Sequence, residues 1–290
     1  MLPLLTAALQ ARLRAAAAAG EREVMCSLDL GRTQARVEVD AAGWCLAGRR
    51  FEWIDPCRER TVYRFTGSAF EPVARYDGAL VKLVPTDWGP PTFEIDGIKM
   101  LPTAQVSPWE DARRKVALVV PRGGRVLDTC GGLGYFAAAC LEAGAASVHS
   151  FEKSPAVLWL RTLNPWSPAA DGARLRLEEA DVTARLADLP DAGYEAILHD
   201  PPRFGIAGEL YSQRVYDAFA RLLGPRGRLF HYTGTPNRLT SGRDVPREVA
   251  TRLERAGFET RIVGDGVVAS RRAAGRGGRS RSRRGSSAVP

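Results

Sequence analysis

The sequence has little of what a metal centre or a disulfide framework needs. Its 290 residues include three histidines and five cysteines, and no two cysteines form a C-x-x-C pair. Zinc sites take Cys and His at close spacing, and disulfide scaffolds pair an even set of cysteines, so both are disfavoured. We expect no metal and a cytoplasmic location.

Long hydrophobic runs are also missing. No run of 18 apolar residues is free of charge, which argues against a membrane span and a membrane partner. The first 19 residues are rich in Ala and Leu, but Arg12 and Arg14 interrupt them and no basic segment precedes them. We interpret residues 1–20 as an N-terminal helix rather than a signal peptide.

Acidic residues are absent from the last twenty positions, which carry seven arginines. Segment 271–290 consists mainly of Arg, Gly and Ser, and we expect it to be a disordered tail. The whole chain has a formal charge of +8, so residues 1–270 carry only +1. The body of the protein is therefore close to neutral, and the charge that would suit nucleic acid lies in the tail.

Two kinds of pattern divide the body of the chain. Over residues 21–106, short segments rich in β-branched and aromatic residues alternate with turn signals, which predicts a small, mainly-β accessory domain. Over residues 107–270, strand patterns alternate with helical ones. This alternation predicts an α/β fold with a doubly wound, Rossmann-like sheet, whose ligands bind at the carboxyl ends of the strands.

A glycine-rich turn follows the first strand of the predicted sheet. It contains Cys130, Gly132 and Gly134 and comes directly after Asp128. Such a turn lets a ligand approach the backbone at the N-terminus of the next helix. Taken alone, the turn also fits a dinucleotide site or a purely structural connection.

Acidic residues end three successive strands of the pattern. Asp128 precedes the glycine turn, where a carboxylate suits an ammonium group better than a pyrophosphate. Glu152 ends the second strand, where it can accept both hydroxyls of a ribose. Asp181 follows the third strand, where it can meet an adenine amino group. Any one of these acidic residues could simply be a solvated residue at a strand end. Three of them at successive strand ends favour a ligand that has an adenosine part and an amino-acid part.

The fourth strand ends in the run HDPPRF, residues 199–204. A D-P-P run here, together with the three acids, resembles the class I S-adenosylmethionine-dependent methyltransferases over roughly residues 116–270. The segments HDPPRFGIAGELYS and SLDLGRT also resemble a family of predicted methyltransferases, found largely in archaea, whose substrate is unassigned. The resemblance implies S-adenosylmethionine as cofactor. The residues implied in holding it are Asp128, Cys130, Gly132, Gly134, Glu152 and Asp181.

The resemblance also implies how an acceptor is held. In enzymes that methylate amines, the carboxylate of this motif and a proline carbonyl accept the amine's hydrogens, and an aromatic residue follows to stack on a planar substrate. Here Arg203 takes the aromatic position and Phe204 comes one residue later. His231 ends the fifth strand, where it is either a general base or a hydrogen-bonded histidine of the sheet edge. The candidate catalytic residues are Asp200, Pro201, Pro202, Phe204 and His231.

Several functions remain open at this point. Methyl transfer leads, to a nitrogen in preference to an oxygen. RNA is favoured over a small molecule as acceptor, because an accessory β-domain commonly delivers nucleic acid to such enzymes. C5-methylation of uridine needs a thiolate near the fifth strand, which has no cysteine. An aminopropyltransferase that uses decarboxylated S-adenosylmethionine has a similar layout, but its glycine loop usually carries an acid that residues 131–134 lack. A non-catalytic RNA-binding protein would not need the D-P-P run. The acceptor and the oligomeric state do not follow from the sequence.

Overall fold

The computed structural model of the protein describes residues 2–119, 122–170, 172–234 and 244–271. Short strands and one helix make up the part before residue 100. They are β1 (Leu4–Thr6), α1 (Ala7–Ala18), β2 (Glu23–Cys26), β3 (Ala35–Asp40), β4 (Gly43–Leu46), β5 (Arg49–Glu52), β6 (Val62–Phe65), β7 (Phe70–Pro72), β8 (Ala74–Tyr76), β9 (Leu80–Val84), β10 (Thr92–Ile95) and β11 (Ile98–Lys99).

From residue 108 onward, helices and strands alternate. They are α2 (Pro108–Ala117), β12 (Arg125–Asp128), α3 (Tyr135–Glu142), β13 (Ser147–Glu152), α4 (Pro155–Leu163), β14 (Leu175–Glu179), α5 (Val182–Arg185), β15 (Tyr194–His199), α6 (Gln213–Leu222), β16 (Leu223–Tyr232), α7 (Val245–Arg255), β17 (Phe258–Val263) and β18 (Gly266–Arg271). Two 3-10 turns, Leu186–Asp188 and Gly208–Tyr211, flank β15. Ser107 caps α2 by accepting the Glu110 N–H at 3.0 Å.

The largest sheet has seven strands in the order β14-β13-β12-β15-β16-β18-β17. The first five of these pair in parallel, whereas β18 runs antiparallel between β16 and β17. The predicted α/β fold with a parallel sheet is therefore confirmed. The chain reverses its direction of winding between β12 and β15, and in open α/β sheets ligands bind beside that point.

Alternate residues of the central strands belong to two separate cores. Val126 and Leu198 pack in a core with residues of α2, α3 and α4. Their neighbours Leu127 and Ile197 pack in a second core with residues of α6 and α7. Because successive side chains of a strand point to opposite faces, this division shows helices covering both faces of the sheet.

Three smaller antiparallel sheets form the N-terminal part, with strand orders β2-β3-β4-β5, β1-β6-β7 and β11-β10-β9-β8. Leu13, Trp44 and Phe51 belong to a core of their own. Leu83 and Phe93, from β9 and β10, instead share the core of α2, α3 and α4. The third small sheet is thus packed against the large one.

The chain ends differ in part from the sequence prediction. The N-terminal helix is shorter than 1–20, because Leu4–Thr6 pairs with β6 and Thr6 caps the helix by accepting the Leu9 N–H. Arg271 ends β18, and the rest of the predicted tail lies outside the described residues. None of the helices within the described ranges has the length and apolar composition needed to cross a bilayer.

The buried Tyr135 hydroxyl connects the two parts of the molecule. It donates to the Pro91 carbonyl at 2.8 Å and accepts from the Asn164 side chain at 3.1 Å. Pro91 immediately precedes β10, whereas Tyr135 begins α3 and Asn164 follows α4. This pair of bonds holds the third small sheet against the helices of the large sheet.

Tyr135→Phe should therefore lower the free energy of unfolding by about 1–3 kcal/mol, because it leaves the Pro91 carbonyl and one N–H of the Asn164 amide without partners. Urea denaturation followed by circular dichroism measures this change. Tyr76→Phe is the matched control, since Tyr76 is 75 % exposed. Equal stability of the two variants would show that the Tyr135 hydroxyl does not join the two parts.

Candidate functional site

A cavity of about 490 Å³ lies at the carboxyl ends of β12, β13, β14 and β15. These ends meet because the four strands pair in parallel and in register. The cavity is thus formed by segments far apart in sequence but adjacent in the sheet. The predicted site residues that line it are Cys130, Gly132, Glu152, Asp181, Asp200, Pro201 and Pro202.

The structure places four predicted site residues outside this lining. Asp128 precedes the glycine turn and Gly134 ends it, and neither lines the cavity. Phe204 packs edge-on against Tyr211, with ring centroids 5.2 Å apart. His231 lies below the cavity floor and has no exposed surface. The acceptor side of the cavity therefore has no aromatic ring from Phe204 along its wall.

The glycine turn is shaped by the side chain of Arg161 on α4, which sequence reasoning missed. A Cβ atom on Gly134 would lie 2.5 Å from the Arg161 Cζ atom, and the backbone of Gly134 has a φ of +83°. A Cβ atom on Gly131 would lie 2.4 Å from the Ser150 hydroxyl. Only glycine fits at either place, so the turn can lie close to both the helix and the cavity.

Arg161 is also a buried charge. It is 4 % exposed, and none of its guanidinium nitrogens has a hydrogen-bond partner within the described residues. Burial lowers its pKa, against the attraction of Asp128 and Glu152, but an arginine remains charged. Arg161 therefore supplies the positive charge behind the turn that balances two carboxylates.

Asp128 was expected to hold an ammonium group, yet its carboxylate has no exposed surface and does not line the cavity. Its Oδ2 atom accepts the Ser150 hydroxyl at 2.7 Å, and its Oδ1 atom has no partner in the described part of the chain. Burial raises the pKa of Asp128 to about 6, although Ser150 and Arg161 favour the ionised form. The geometry gives Asp128 a supporting position beneath the turn.

Glu152 lines the cavity and is fixed by backbone donors. Its two oxygens accept the N–H groups of Gly132 and Ser154, each at 2.9 Å. Burial raises the pKa of Glu152 against these bonds. Each carboxylate oxygen has a second lone pair, so Glu152 can accept two further hydrogen bonds from a ligand. Its position fits the predicted contact with two vicinal hydroxyls.

Asp181 has a structural role that the sequence did not predict. It caps α5, with its Oδ1 atom accepting both the N–H and the hydroxyl of Thr183. Burial raises the pKa of Asp181, but these bonds and the Lys153 charge outweigh it, so the pKa is lowered. The Oδ2 atom, 3.8 Å from the Lys153 ammonium, lies on the cavity side and can accept a ligand amino group.

The acceptor side of the cavity centres on Asp200. Burial raises the pKa of Asp200 to about 6, and the nearby Lys115 opposes this increase. Among the described residues, Asp200 makes no hydrogen bond or ion pair, so its oxygens can accept from a ligand. Cys130 lines the same cavity, but burial raises the pKa of its thiol, which argues against a thiolate nucleophile.

The two histidines at the strand ends are enclosed. The His231 Nδ1–H donates to the Tyr232 carbonyl at 2.8 Å, and its Nε2 accepts the Tyr216 hydroxyl at 3.0 Å. His199 is bonded similarly, to Thr129 at 2.7 Å and to the Leu210 carbonyl at 3.0 Å. Burial lowers the pKa of both rings, that of His199 to about 4. With both nitrogens engaged, we assign neither histidine a proton-transfer role.

One wall of the cavity comes from the N-terminal part of the chain. Phe93 and Ile95 of β10, Ile98 of β11 and the following Met100 and Leu101 provide an apolar surface opposite the strand ends. The sequence contains no motif for this wall, since its position depends on how the third small sheet packs. The cavity is therefore polar on the side of the large sheet and apolar on the side of β10 and β11.

No protein-family profile matches the chain. An uncharacterized protein of Methanocaldococcus jannaschii is 43 % identical over 178 residues, which are 61 % of each chain. The polyamine aminopropyltransferase 2 of Streptomyces coelicolor is 34 % identical over 130 residues, 41 % of this chain and 24 % of that one. The chain thus spans about three fifths of the length of the Methanocaldococcus protein and about a quarter of the length of the Streptomyces enzyme.

The fold is shared with a solved enzyme structure. Spermidine synthase from Thermotoga maritima superimposes with a TM-score of 0.54 over 70 % of this chain and 76 % of that chain, at 18 % identity. At this identity the likeness shows the fold alone. Together with the strand order, it shows that the chain has a class I methyltransferase-like fold, which aminopropyltransferases share.

The burial of Asp128 makes a pH-dependent prediction. Its pKa rises from 3.8 to about 6 on folding, so its ionisation costs stability as the pH rises through this interval. The free energy of unfolding of Asp128→Asn minus that of the wild type should therefore increase by about 2 kcal/mol as the pH rises from 4.5 to 7.5. Denaturation curves at several pH values measure this gain. Asp77→Asn, on an exposed turn, should show no such trend, and a flat difference for Asp128→Asn would contradict its burial as a carboxylate.

Proposed function

We propose that the protein binds S-adenosylmethionine and transfers its methyl group to a nitrogen atom of an acceptor. The observation that supports this most is the continuity of the cavity. One space of about 490 Å³ joins the glycine turn, Glu152 and Asp181 to the run Asp200-Pro201-Pro202. A cofactor half and an acceptor half are thus adjacent, as group transfer between two bound molecules requires.

The residues of the cofactor half fit the chemical groups of this cofactor. Glu152 retains lone pairs for two ribose hydroxyls, and Asp181 retains one oxygen for an adenine amino group. The N–H groups of Gly131, Gly132 and Gly134 are bonded within the protein, so what the glycine turn offers a ligand is close approach of its backbone to the cavity. Phe151 and Val157 provide apolar surface beside Glu152 for a purine ring.

When bound, S-adenosylmethionine supplies a methyl group already activated by a sulfonium, so the protein needs no covalent intermediate. Asp200 and the Pro201 carbonyl accept the hydrogens of the acceptor nitrogen and direct its lone pair toward the cofactor half. The acceptor nitrogen would form its N–C bond as the methyl–sulfur bond breaks, the bonding electrons would stay on sulfur as a neutral thioether, and the proton that the nitrogen releases would go to Asp200. A carboxylate with a pKa near 6 is ionised at neutral pH and is a stronger base than an ordinary aspartate.

Aminopropyl transfer is the second candidate, because the streptomycete relative and the superimposed structure carry that activity in their names. It would use the same cavity and a decarboxylated cofactor. The turn Gly131–Gly134 carries no acidic side chain for the aminopropyl ammonium of that cofactor. We therefore favour methyl transfer.

RNA delivery by the N-terminal part is not supported by its charge. Between residues 21 and 106 the chain has eleven Lys and Arg residues against thirteen Asp and Glu residues. Phosphate contacts require excess positive charge, which this part lacks. If the acceptor is RNA, the arginines of residues 271–290 are the segment suited to bind its backbone.

Glu152→Gln should weaken the binding of S-adenosylmethionine and of S-adenosylhomocysteine about 10- to 100-fold, because hydrogen bonds to a charged acceptor contribute about 1.5–3 kcal/mol. Isothermal titration calorimetry measures both affinities. Glu142→Gln, at the exposed end of α3, serves as the control and should bind like the wild type. Tighter binding of decarboxylated S-adenosylmethionine by the wild type would favour aminopropyl transfer instead.

Asp200→Asn should abolish methyl transfer while changing cofactor affinity by less than about threefold, under 1 kcal/mol. The carboxylate is on the acceptor side, so its loss removes the proton acceptor and leaves the nucleoside contacts. Label transfer from methyl-tritiated cofactor to RNA and metabolite extracts measures the reaction, and the wild-type rate should fall below a pH of about 6. Asp217→Asn, exposed on α6, is the control. An Asp200→Asn protein that still methylates would exclude this role.

A further inference from the structure

Lys115 on α2 is a buried lysine beside the acceptor half of the cavity. Its side chain is 3 % exposed. The Nζ atom lies 2.7 Å from Asp111 Oδ2 and 3.4 Å from Asp265 Oδ2. The Tyr232 ring centroid lies 4.4 Å from the same atom, and the Phe230 ring is at 5.9 Å.

Two carboxylates and two aromatic rings around one ammonium group form a cage. Carboxylates accept hydrogen bonds from an ammonium, and aromatic faces attract it through their quadrupoles. The same combination of groups would recognise the end of a free alkylammonium. In this protein the cage, defined by Asp111, Asp265, Tyr232 and Phe230, already contains the end of Lys115.

The cage adjoins the proposed acceptor site. Asp111 and Tyr232 line the cavity together with Asp200, whereas Lys115 reaches them from α2 behind the wall. Burial lowers the pKa of Lys115, but the charges of Asp200, Asp111 and Asp265 outweigh it, so the pKa is raised and the side chain is cationic. Lys115 thus places a permanent positive charge next to the carboxylate that meets the acceptor.

We infer that Lys115 is a specificity-determining residue that fills an ammonium cage from inside the protein, so the acceptor reaching Asp200 is an electrically neutral nitrogen and not a free alkylammonium. This inference rests on the proposed function for the identity of the acceptor site. It names the substrate class: an amide, an aromatic amine or a nucleobase nitrogen, in place of an aliphatic diamine.

The remaining carboxylates of the acceptor half support this inference. Asp111 already has a cation on each oxygen, because Arg114 donates to its Oδ1 atom at 2.7 Å and Lys115 lies at its Oδ2 atom. Asp200 is then the one carboxylate of the described acceptor lining that has no cationic partner within bonding distance. An aliphatic diamine carries two ammonium groups at neutral pH, and Asp200 can neutralise only one of them.

Further charges near the acceptor half act in the same direction. Lys99 and Arg203 line the cavity, and Arg114 lies behind it. With Lys115, these four cations face three carboxylates, those of Asp111, Asp200 and Asp265. The net positive charge of this group therefore disfavours a dicationic acceptor. It has no such effect on an uncharged acceptor.

Lys115→Ala tests the inference, because it vacates the cage and leaves Asp111 and Asp265 without their buried partner. Propylammonium replaces the atoms removed beyond Cβ, and 1-propanol is its neutral analogue. We expect propylammonium, but not 1-propanol, to raise the melting temperature of Lys115→Ala by several degrees, with no effect on the wild type. Arg255→Ala, which removes an exposed cation at the end of α7 outside the cavity lining, should respond like the wild type.

Calorimetric titration of 1,4-diaminobutane provides the second measurement. We expect the wild type to bind it at least tenfold more weakly than Lys115→Ala does. Equal or tighter binding by the wild type would overturn the inference. If Lys115→Ala fails to fold, saturable binding of 1,4-diaminobutane by the wild type alone would overturn it. Titration of S-adenosylmethionine on the same wild-type sample separates the two proposals. Failure to bind the cofactor would refute the proposed function and leave the cage result standing.

Discussion

Burial of negative charge at one edge of the sheet is the constraint on which the rest of the site depends. Asp128 and Asp200 end neighbouring parallel strands, and both lie where solvation is poor enough to raise their pKa values. An unbalanced group of buried carboxylates would destabilise the fold by several kcal/mol. Two buried cations reduce this cost: Arg161 on α4, beside Asp128 and Glu152, and Lys115 on α2, beside Asp200.

The two cations also divide the cavity by function. Arg161 lies behind the glycine turn and occupies the space that a Cβ atom at Gly134 would need. The glycine keeps the backbone of the turn close to the cofactor half. Lys115 stands behind Asp200 and occupies the space in which a cationic acceptor would be held. The same physical requirement, charge balance at low dielectric, therefore shapes the cofactor side and limits the acceptor side.

Much of this site was predictable from sequence because it follows the strand ends. Parallel strands bring their carboxyl ends together, so the placement of Glu152, Asp181 and Asp200 in one cavity follows from strand order. The supporting cations were not predictable, because an arginine or lysine in a helix is usually exposed and only packing shows otherwise. The enclosure of His231 was missed for a related reason, since a position at a strand end does not give the side chain's direction.

The apolar wall shows a second limit of the sequence. Residues of β10 and β11 are separated from the strand ends by more than twenty positions, and the bonds of Tyr135 to Pro91 and Asn164 hold that wall in place. Only the packed structure reveals that the small sheet completes the cavity. A ligand in that cavity contacts both parts of the chain, so binding should be coupled to their association.

A crystal structure of the protein grown with S-adenosylhomocysteine tests the central claim most directly. We predict that the ribose hydroxyls lie within hydrogen-bonding distance of Glu152, that the adenine amino group faces Asp181, and that the sulfur points toward Asp200. Density for the ligand at another place, or in this cavity with the ribose away from Glu152, would contradict the assignment of the two halves.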